Sequence, residues 1–316
     1  MNFSTNIQKK TEKAMRIIFM GTPEFAVPSL GILLDNGYDI VGVITAVDKF
    51  GGRGNKRLIE SAVKKFARTK GLKILQPKNL KAPEFLKELT DLKPDLQVVV
   101  AFRMLPEVVW DLPTIGTFNL HGSLLPKYRG AAPINWAIIK GEKETGVTTF
   151  FIKREIDTGD LLFQEKMGIG ENETAGEVHD RMMQLGAKVV LKSVRAIESG
   201  TYELKPQNHE LATKAPKIFH ETCEINFEQT TEQVHDFIRG LSPYPAAWTR
   251  LNDLQLKIFR TQKEHGSHDF PAGKFVTDNR TYLKITTNDG FVNVLELQLQ
   301  GRKRMEVKAF LNGYEF

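Results

Sequence analysis

In the segment Gly-Thr-Phe-Asn-Leu-His, residues 116–121, an amide and an imidazole stand two positions apart. Alternate side chains of a strand leave on opposite faces, so Asn119 and His121 project together while Phe118 and Leu120 project the other way. An Asn N–H can hold the oxyanion of a tetrahedral intermediate, an effect of about 10²–10³-fold. A histidine can handle the proton of an attacking amine, for roughly 10²–10⁴-fold. Together the two side chains suffice for acyl transfer to an amine, and neither needs a metal. The spacing alone is weak evidence and favours a hydrogen-bonded structural histidine at a strand end.

The elements that would position this pair follow from the apolar pattern. Strands are expected at 15–20, 39–46, 72–75, 96–102, Gly116–His121 and 146–153, with helices between them at 58–69 and 83–89 and a long one at 174–197. This rhythm predicts an α/β, Rossmann-like, mostly parallel sheet with helices on both faces. Val98, Val99 and Val100 are apolar without alternation, as in a strand covered on both sides, so their strand should be interior. In a parallel strand ending at His121, Gly122 begins the loop at the carboxyl end, where doubly wound sheets place ligands. Residues 201–216, rich in Thr, Lys and Pro without periodicity, read as a linker. After it come one short helix, 231–239, and six short strands at Ala247–Leu251, 256–261, 274–277, 282–286, 291–299 and 305–311, which suggest a small OB-like β-barrel. The expected domains are therefore a tail at 1–14, a catalytic domain at 15–200 and a barrel at 217–316.

Composition narrows the function classes. The chain has 316 residues, one cysteine and a formal charge of +6. A single cysteine excludes an internal disulfide and any Cys-x-x-Cys motif, which fits a reducing compartment; the cytoplasm is the expected location. The polar, charged start resembles neither a signal peptide nor a membrane span. From residue 207 onward basic and acidic residues are equal in number, so the excess cations lie in the first 206 residues, where capture of a polyanion is expected. The turn Gly21-Thr-Pro-Glu-Phe25 lacks Gly-x-Gly-x-x-Gly, and residues 51–54 lack the Walker spacing, which argues against a nicotinamide dehydrogenase or a nucleotide-phosphate loop.

From Asn119 the chain continues as Leu-His-Gly-Ser-Leu-Leu-Pro-Lys-Tyr-Arg-Gly-Ala-Ala-Pro, with Glu-Thr-Gly-Val-Thr at 144–148 and Asp-Thr-Gly-Asp at 157–160. Here it resembles the formyltransferase family that uses 10-formyltetrahydrofolate, and the likeness extends from Met15 to the C-terminus. The resemblance implies that Asn119 and His121 flank the formyl carbonyl and that Asp157 lies near the histidine, orienting it or holding its protonated form. Read without it, Asp157 is a turn-forming residue. Ser123, Leu124, Leu125 and Pro126 resemble the family's folate-binding stretch, and Phe102, Arg103, Met104 and Leu105 occupy the other loop expected to wall that pocket.

The loop Asp-Lys-Phe-Gly-Gly-Arg-Gly-Asn-Lys-Arg, residues 48–57, brings Lys49, Arg53, Lys56 and Arg57 together on a glycine-rich segment suited to phosphates. In the members that act on tRNA a similar loop reaches the acceptor arm, with Arg53 the expected key contact here; Phe50 stands where proline is usual. A second basic cluster, Gly301-Arg-Lys-Arg, is either a solvated turn or a phosphate contact. The acceptor implied is methionyl initiator tRNA, with the chain acting as a monomer and without a metal. Two alternatives remain. A formyltransferase for amino-sugar nucleotides shares the Asn119–Pro126 stretch, but Ala131-Ala-Pro133 and the segment 240–248 fit the tRNA members better. A non-catalytic RNA-binding module would explain the barrel and basic loop but not the Asn/His face.

Overall fold

The computed structural model describes residues 14–51 and 57–315. By its internal contacts the chain forms two compact units, Met1–Phe118 with Arg195–Thr201, and Asn119–Val194 with Tyr202–Phe316. The expected tail, but for Ala14, together with Arg53 and Lys56, falls outside the described residues.

The first unit contains β1 (Arg16–Gly21), α1 (Val27–Asp35), β2 (Asp39–Ile44), β3 (Lys49–Gly51), β4 (Arg57–Ile59), α2 (Ala62–Thr69), β5 (Ile74–Leu75), α3 (Pro83–Asp91), β6 (Leu96–Val100), α4 (Glu107–Trp110) and the start of β7 (Gly116–His121). Strand order is β7-β6-β1-β2-β5, with β1 parallel to both β2 and β6. Ile17, Ile18, Phe19 and Met20 of β1 are all fully buried, and every residue of β6 is buried, as in the interior strand its valines predict. The expected helix at 58–69 is corrected at its start. Arg57–Ile59 pairs antiparallel with Lys49–Gly51. The helix itself begins after Ser61, whose hydroxyl accepts from the Lys64 N–H at 3.0 Å.

The second unit receives the end of β7 and adds β8 (Arg129–Gly130), α5 (Pro133–Ile139), β9 (Glu144–Phe151), β10 (Leu161–Gly168) and α6 (Ala175–Ser199). Its sheet order is β10-β9-β7, with β10 antiparallel to β9, so the sheet is mixed rather than purely parallel. A capping box opens α6: Thr174 Oγ1 accepts from the Glu177 N–H, and Glu177 Oε2 accepts from the Thr174 N–H at 2.8 Å. β11 (Lys214–Ala215) follows within the expected linker.

The remainder of this unit is α7 (Thr231–Leu241), then β12 (Ala247–Leu251), β13 (Leu254–His265), β14 (Phe275–Thr277), β15 (Leu283–Thr286), β16 (Gly290–Leu299), β17 (Met305–Glu306) and α8 (Val307–Leu311). The strands run β12-β13-β16-β15-β14, with β17 on β16. This antiparallel path has two ends that do not pair with each other, so the small barrel is a half-barrel, closed over its core by α7 and α8. Residues 305–311, expected as a strand, are two strand residues followed by a helical turn. Val307, Phe310 and Leu311 are buried at i, i+3 and i+4, a helical spacing. At Gly240 of α7 a Cβ would stand 3.2 Å from the Asn135 carbonyl and 2.6 Å from Ile139, so the glycine lets α7 lie close against α5. Asn135 donates to the Gly240 carbonyl across that contact at 2.8 Å. Beside it, buried Arg239 binds Asp236 at 2.6 Å and donates to the Gly170 and Glu173 carbonyls, fastening α7 to the turn before α6.

Candidate active site

β7 ends on His121, which is 6% exposed. Its Nε2 lies 2.9 Å from the Tyr128 carbonyl. A carbonyl only accepts, so this contact assigns the ring proton to Nε2 and leaves Nδ1 with the lone pair in the neutral ring. Nδ1 faces Asp157 Oδ2 at 3.7 Å. The same Oδ2 accepts from the Gly130 N–H at 2.9 Å. Asp157 adopts φ +55°, a left-handed turn that Asp tolerates better than most residues. Two residues far apart in the chain are thus brought together, and a proton arriving on Nδ1 would create an ion pair with the carboxylate.

Asn119 is half-buried on the face of β7 that carries His121. Its side-chain amide makes no hydrogen bond among the described residues, so both N–H groups remain available to a ligand oxygen. On the opposite face Phe118 and Leu120 are buried and anchor the strand.

The loop after β7 is held from beneath. Ser123 Oγ donates to the Lys127 carbonyl at 2.6 Å. Thr148 Oγ1 donates to the Ser123 carbonyl and accepts from the Leu125 N–H, while Gln164 donates to the Leu125 carbonyl at 2.8 Å. Leu125 is buried, and Leu124 and Pro126 form the half-buried rim. Tyr128 donates its phenol proton to Glu142 at 2.8 Å. Burial first, and then this acidic acceptor, push its ionisation up, so it stays a neutral phenol.

In the first unit, Phe102, Arg103, Met104 and Leu105 lie after β6. Arg103 stacks over the Phe102 ring and donates to the Pro77 and Lys78 carbonyls at 2.6 and 3.0 Å, pinning this loop to the one before α3. The groove alongside has a volume of about 570 Å³. Leu80, Met104, Leu105 and Pro106 give it apolar walls, and Lys78, Lys81 and Arg103 supply cations.

Lys49 and Arg57 stand at opposite ends of the β3–β4 hairpin beside the exposed side chains of Phe50, Leu58 and Ile59. The two arginines of the second basic cluster are engaged locally. Arg304 binds both carboxylate oxygens of Glu296 at 2.6 Å and stacks on Phe259, and Arg302 donates to the Gly313 carbonyl.

Several groups at this site have roles that strand alternation and residue spacing do not mark. Tyr128 and Gly130 act through their backbone, and Thr148 and Gln164 work beneath a loop from β9 and β10. Gln207 lies in the expected linker, yet it is 6% exposed and bonds the backbone of Asp157.

The chain is similar to several known proteins. A Methionyl-tRNA formyltransferase of Azobacteroides pseudotrichonymphae is 51% identical over 96% of this chain and 97% of its own length. One from Phocaeicola vulgatus is 52% identical, again over 96% and 97%. Among solved structures, an N-formyltransferase from Helicobacter canadensis, crystallised with folinic acid and dTDP-3-aminofucose, superposes with a TM-score of 0.69 at 24% identity, covering 92% of this chain and all of that one. Residues 15–194 match the Formyl transferase family and residues 217–315 match its C-terminal domain, so the chain belongs to the formyl transferase family.

Proposed function

We propose that this chain transfers the formyl group of 10-formyltetrahydrofolate to the free amino group of methionyl initiator tRNA, giving N-formylmethionyl-tRNA. The observation that carries the chemistry is His121: its Nε2 proton is spent on the Tyr128 carbonyl, and its Nδ1 lone pair faces a carboxylate. The substrate assignment rests on relatives of that name that are about half identical over nearly the full chain.

The donor supplies an electrophilic formyl carbon and a leaving nitrogen. As the amine nitrogen attacks that carbon, Asn119 donates to the developing oxyanion. His121 Nδ1 takes the proton from the amine, and Asp157 stabilises the imidazolium that results. When the bond to the donor nitrogen breaks, Nδ1 returns the proton to it, leaving the histidine as it began. Holding the two substrates together contributes on the same scale, about 7–11 kcal/mol for well-oriented reactants. Ser123–Pro126 is the surface we assign to the donor. Lys49 and Arg57, with Arg53 and Lys56 between them, are assigned to phosphates of the tRNA. Action as a monomer in the cytoplasm, where this substrate is expected, belongs to the same proposal.

The test is an assay of the purified protein with 10-formyltetrahydrofolate, offering methionyl initiator tRNA, methionyl elongator tRNA and an amino-sugar nucleotide side by side. Selective formylation of the initiator tRNA is expected. Formylation of the sugar alone would overturn the substrate and keep the chemistry; formylation of none would overturn both.

A further inference from the structure

We propose that the segment joining α6 to the C-terminal part of the chain is a brace for the catalytic loop, and that Gln207 within it is a positioning residue that sets where Asp157 stands relative to His121. The inference rests on the roles proposed for that pair.

Residues 203–206 and 208–211 are exposed, and Gln207 between them is buried. Every part of its carboxamide is used. Nε2 donates to the Asp157 carbonyl at 2.9 Å and to the Gly159 carbonyl at 2.8 Å. Oε1 accepts from Arg129 Nε at 3.2 Å and from a terminal guanidinium nitrogen at 2.5 Å. One side chain thereby joins the loop that presents the carboxylate to the strand that accepts it, because the next residue, Gly130, donates its N–H to Asp157 Oδ2. Only a neutral amide satisfies this set. A carboxylate would face two carbonyls, and an apolar side chain would leave both carbonyls and part of Arg129 unpaired.

The rest of the segment grips the same strand. Lys214 and Ala215 pair with Arg129 and Gly130 as β11 on β8. Thr213 Oγ1 accepts from the Tyr128 N–H at 2.8 Å, and its carbonyl accepts from the Arg129 N–H at 2.9 Å. Lys205 exchanges two backbone hydrogen bonds with Leu161, just past the Asp157 turn. Gly130 sits at φ +126° with its Cα so near β11 that a Cβ would be 2.5 Å from the Ala215 carbonyl. His121 hangs from the Tyr128 carbonyl and Asp157 from the Gly130 N–H. Both members of the pair are therefore registered by a two-residue strand, or the residue just before it, whose partner is this segment.

The experiment compares Gln207→Ala and the isosteric Gln207→Glu with wild type, in the full chain, in wild-type and Asp157→Asn backgrounds. Rates are taken at saturation in both substrates and normalised to the folded fraction. A displacement of the carboxylate on the scale of ~1 Å predicts a loss of about 10–100-fold in kcat with KM for donor and tRNA unchanged. In the Asp157→Asn background the same substitutions should cost less than about threefold, because the group they position is already gone. Gln207→Glu keeps the side-chain volume, so the prediction stands even if Gln207→Ala folds poorly. Wild-type kcat in both variants, or an equal loss in both backgrounds, overturns the inference alone. A wild-type chain that transfers no formyl group overturns the functional proposal and the inference with it.

Discussion

Replacing Asn119 by alanine isolates the oxyanion contact. The amide has no hydrogen-bond partner among the described residues, so its removal strands no buried donor or acceptor. Phe118 and Leu120 continue to anchor β7 from the other face. Stability should therefore change by no more than about 0.5–1 kcal/mol, the range for a substitution that removes neither core packing nor a buried bond. Loss of a donor that acts only in the transition state costs about 2.7–4 kcal/mol, or roughly 10²–10³ in rate. That loss should fall on kcat while KM for the donor and for the tRNA holds, since the ground-state complex does not use the full interaction. Asn119→Asp, equal in size but an acceptor, should be no faster than Asn119→Ala. The assay is steady-state formylation of methionyl initiator tRNA with each substrate varied in turn, beside a thermal melt of each variant. A kcat within about threefold of wild type, or a large drop in melting temperature accompanying the slower rate, would refute the reasoning.

Further outcomes follow from other parts of the molecule. Gly130→Ala places a side chain at φ +126° against the Ala215 carbonyl; strain of about 1–3 kcal/mol should lower the unfolding midpoint in denaturant, and kcat should fall with it because the Gly130 N–H holds Asp157. For Glu177, burial is the largest influence and pushes its carboxyl up, but hydrogen bonds from Arg260 and from Thr174 outweigh it and bring the value down to about 2. Its contribution is therefore full above about pH 4.5 and lost as the pH falls toward about 2; the pair is partly exposed, so the effect is about 0.5–1 kcal/mol. Unfolding measured across that window should show Glu177→Gln losing less stability than wild type on acidification, and parallel curves would count against the assignment. Neutralising Lys49 and Arg57 together should weaken tRNA binding and reduce the magnitude of the slope of log affinity against log salt by about 0.7–0.9 for each phosphate that is no longer neutralised. An unchanged slope in a filter-binding titration would remove the hairpin from the tRNA interface.

What can be read in the chain depends on whether the physics is local. β7 is found at Gly116–His121 and β12 at Ala247–Leu251, where a run of apolar and β-branched residues is bounded by turn residues. β10 gives no such signal, because only Leu162 in it is buried and the rest alternate between half-buried and exposed beside β9 at the end of the strand order, with Glu165 and Lys166 within it, and such a pattern resembles a polar connection. The hairpin of β3 and β4 exposes its apolar side chains, so Leu58 and Ile59 mimic the start of a helix that Ser61 in fact caps. Asn119 and His121 are visible through strand alternation and Asp157 through a family motif, whereas the pairing of His121 with Asp157 needs coordinates. Gln207 is hidden for a different reason. Its partners, Arg129 and Asp157, are 78 and 50 residues away, and a buried amide in a polar segment has no periodicity to betray it.

The central claim is that His121 and Asp157 work as one unit on a single proton, and a double-mutant cycle in kcat for formyl transfer tests it most directly. His121→Ala, Asp157→Asn and the double variant are compared with wild type under saturating donor and methionyl initiator tRNA. The geometry predicts that the double variant is no slower than His121→Ala by more than about threefold, because the carboxylate has nothing left to stabilise. Losses that simply multiply would mean that the two residues act separately, and would contradict the account.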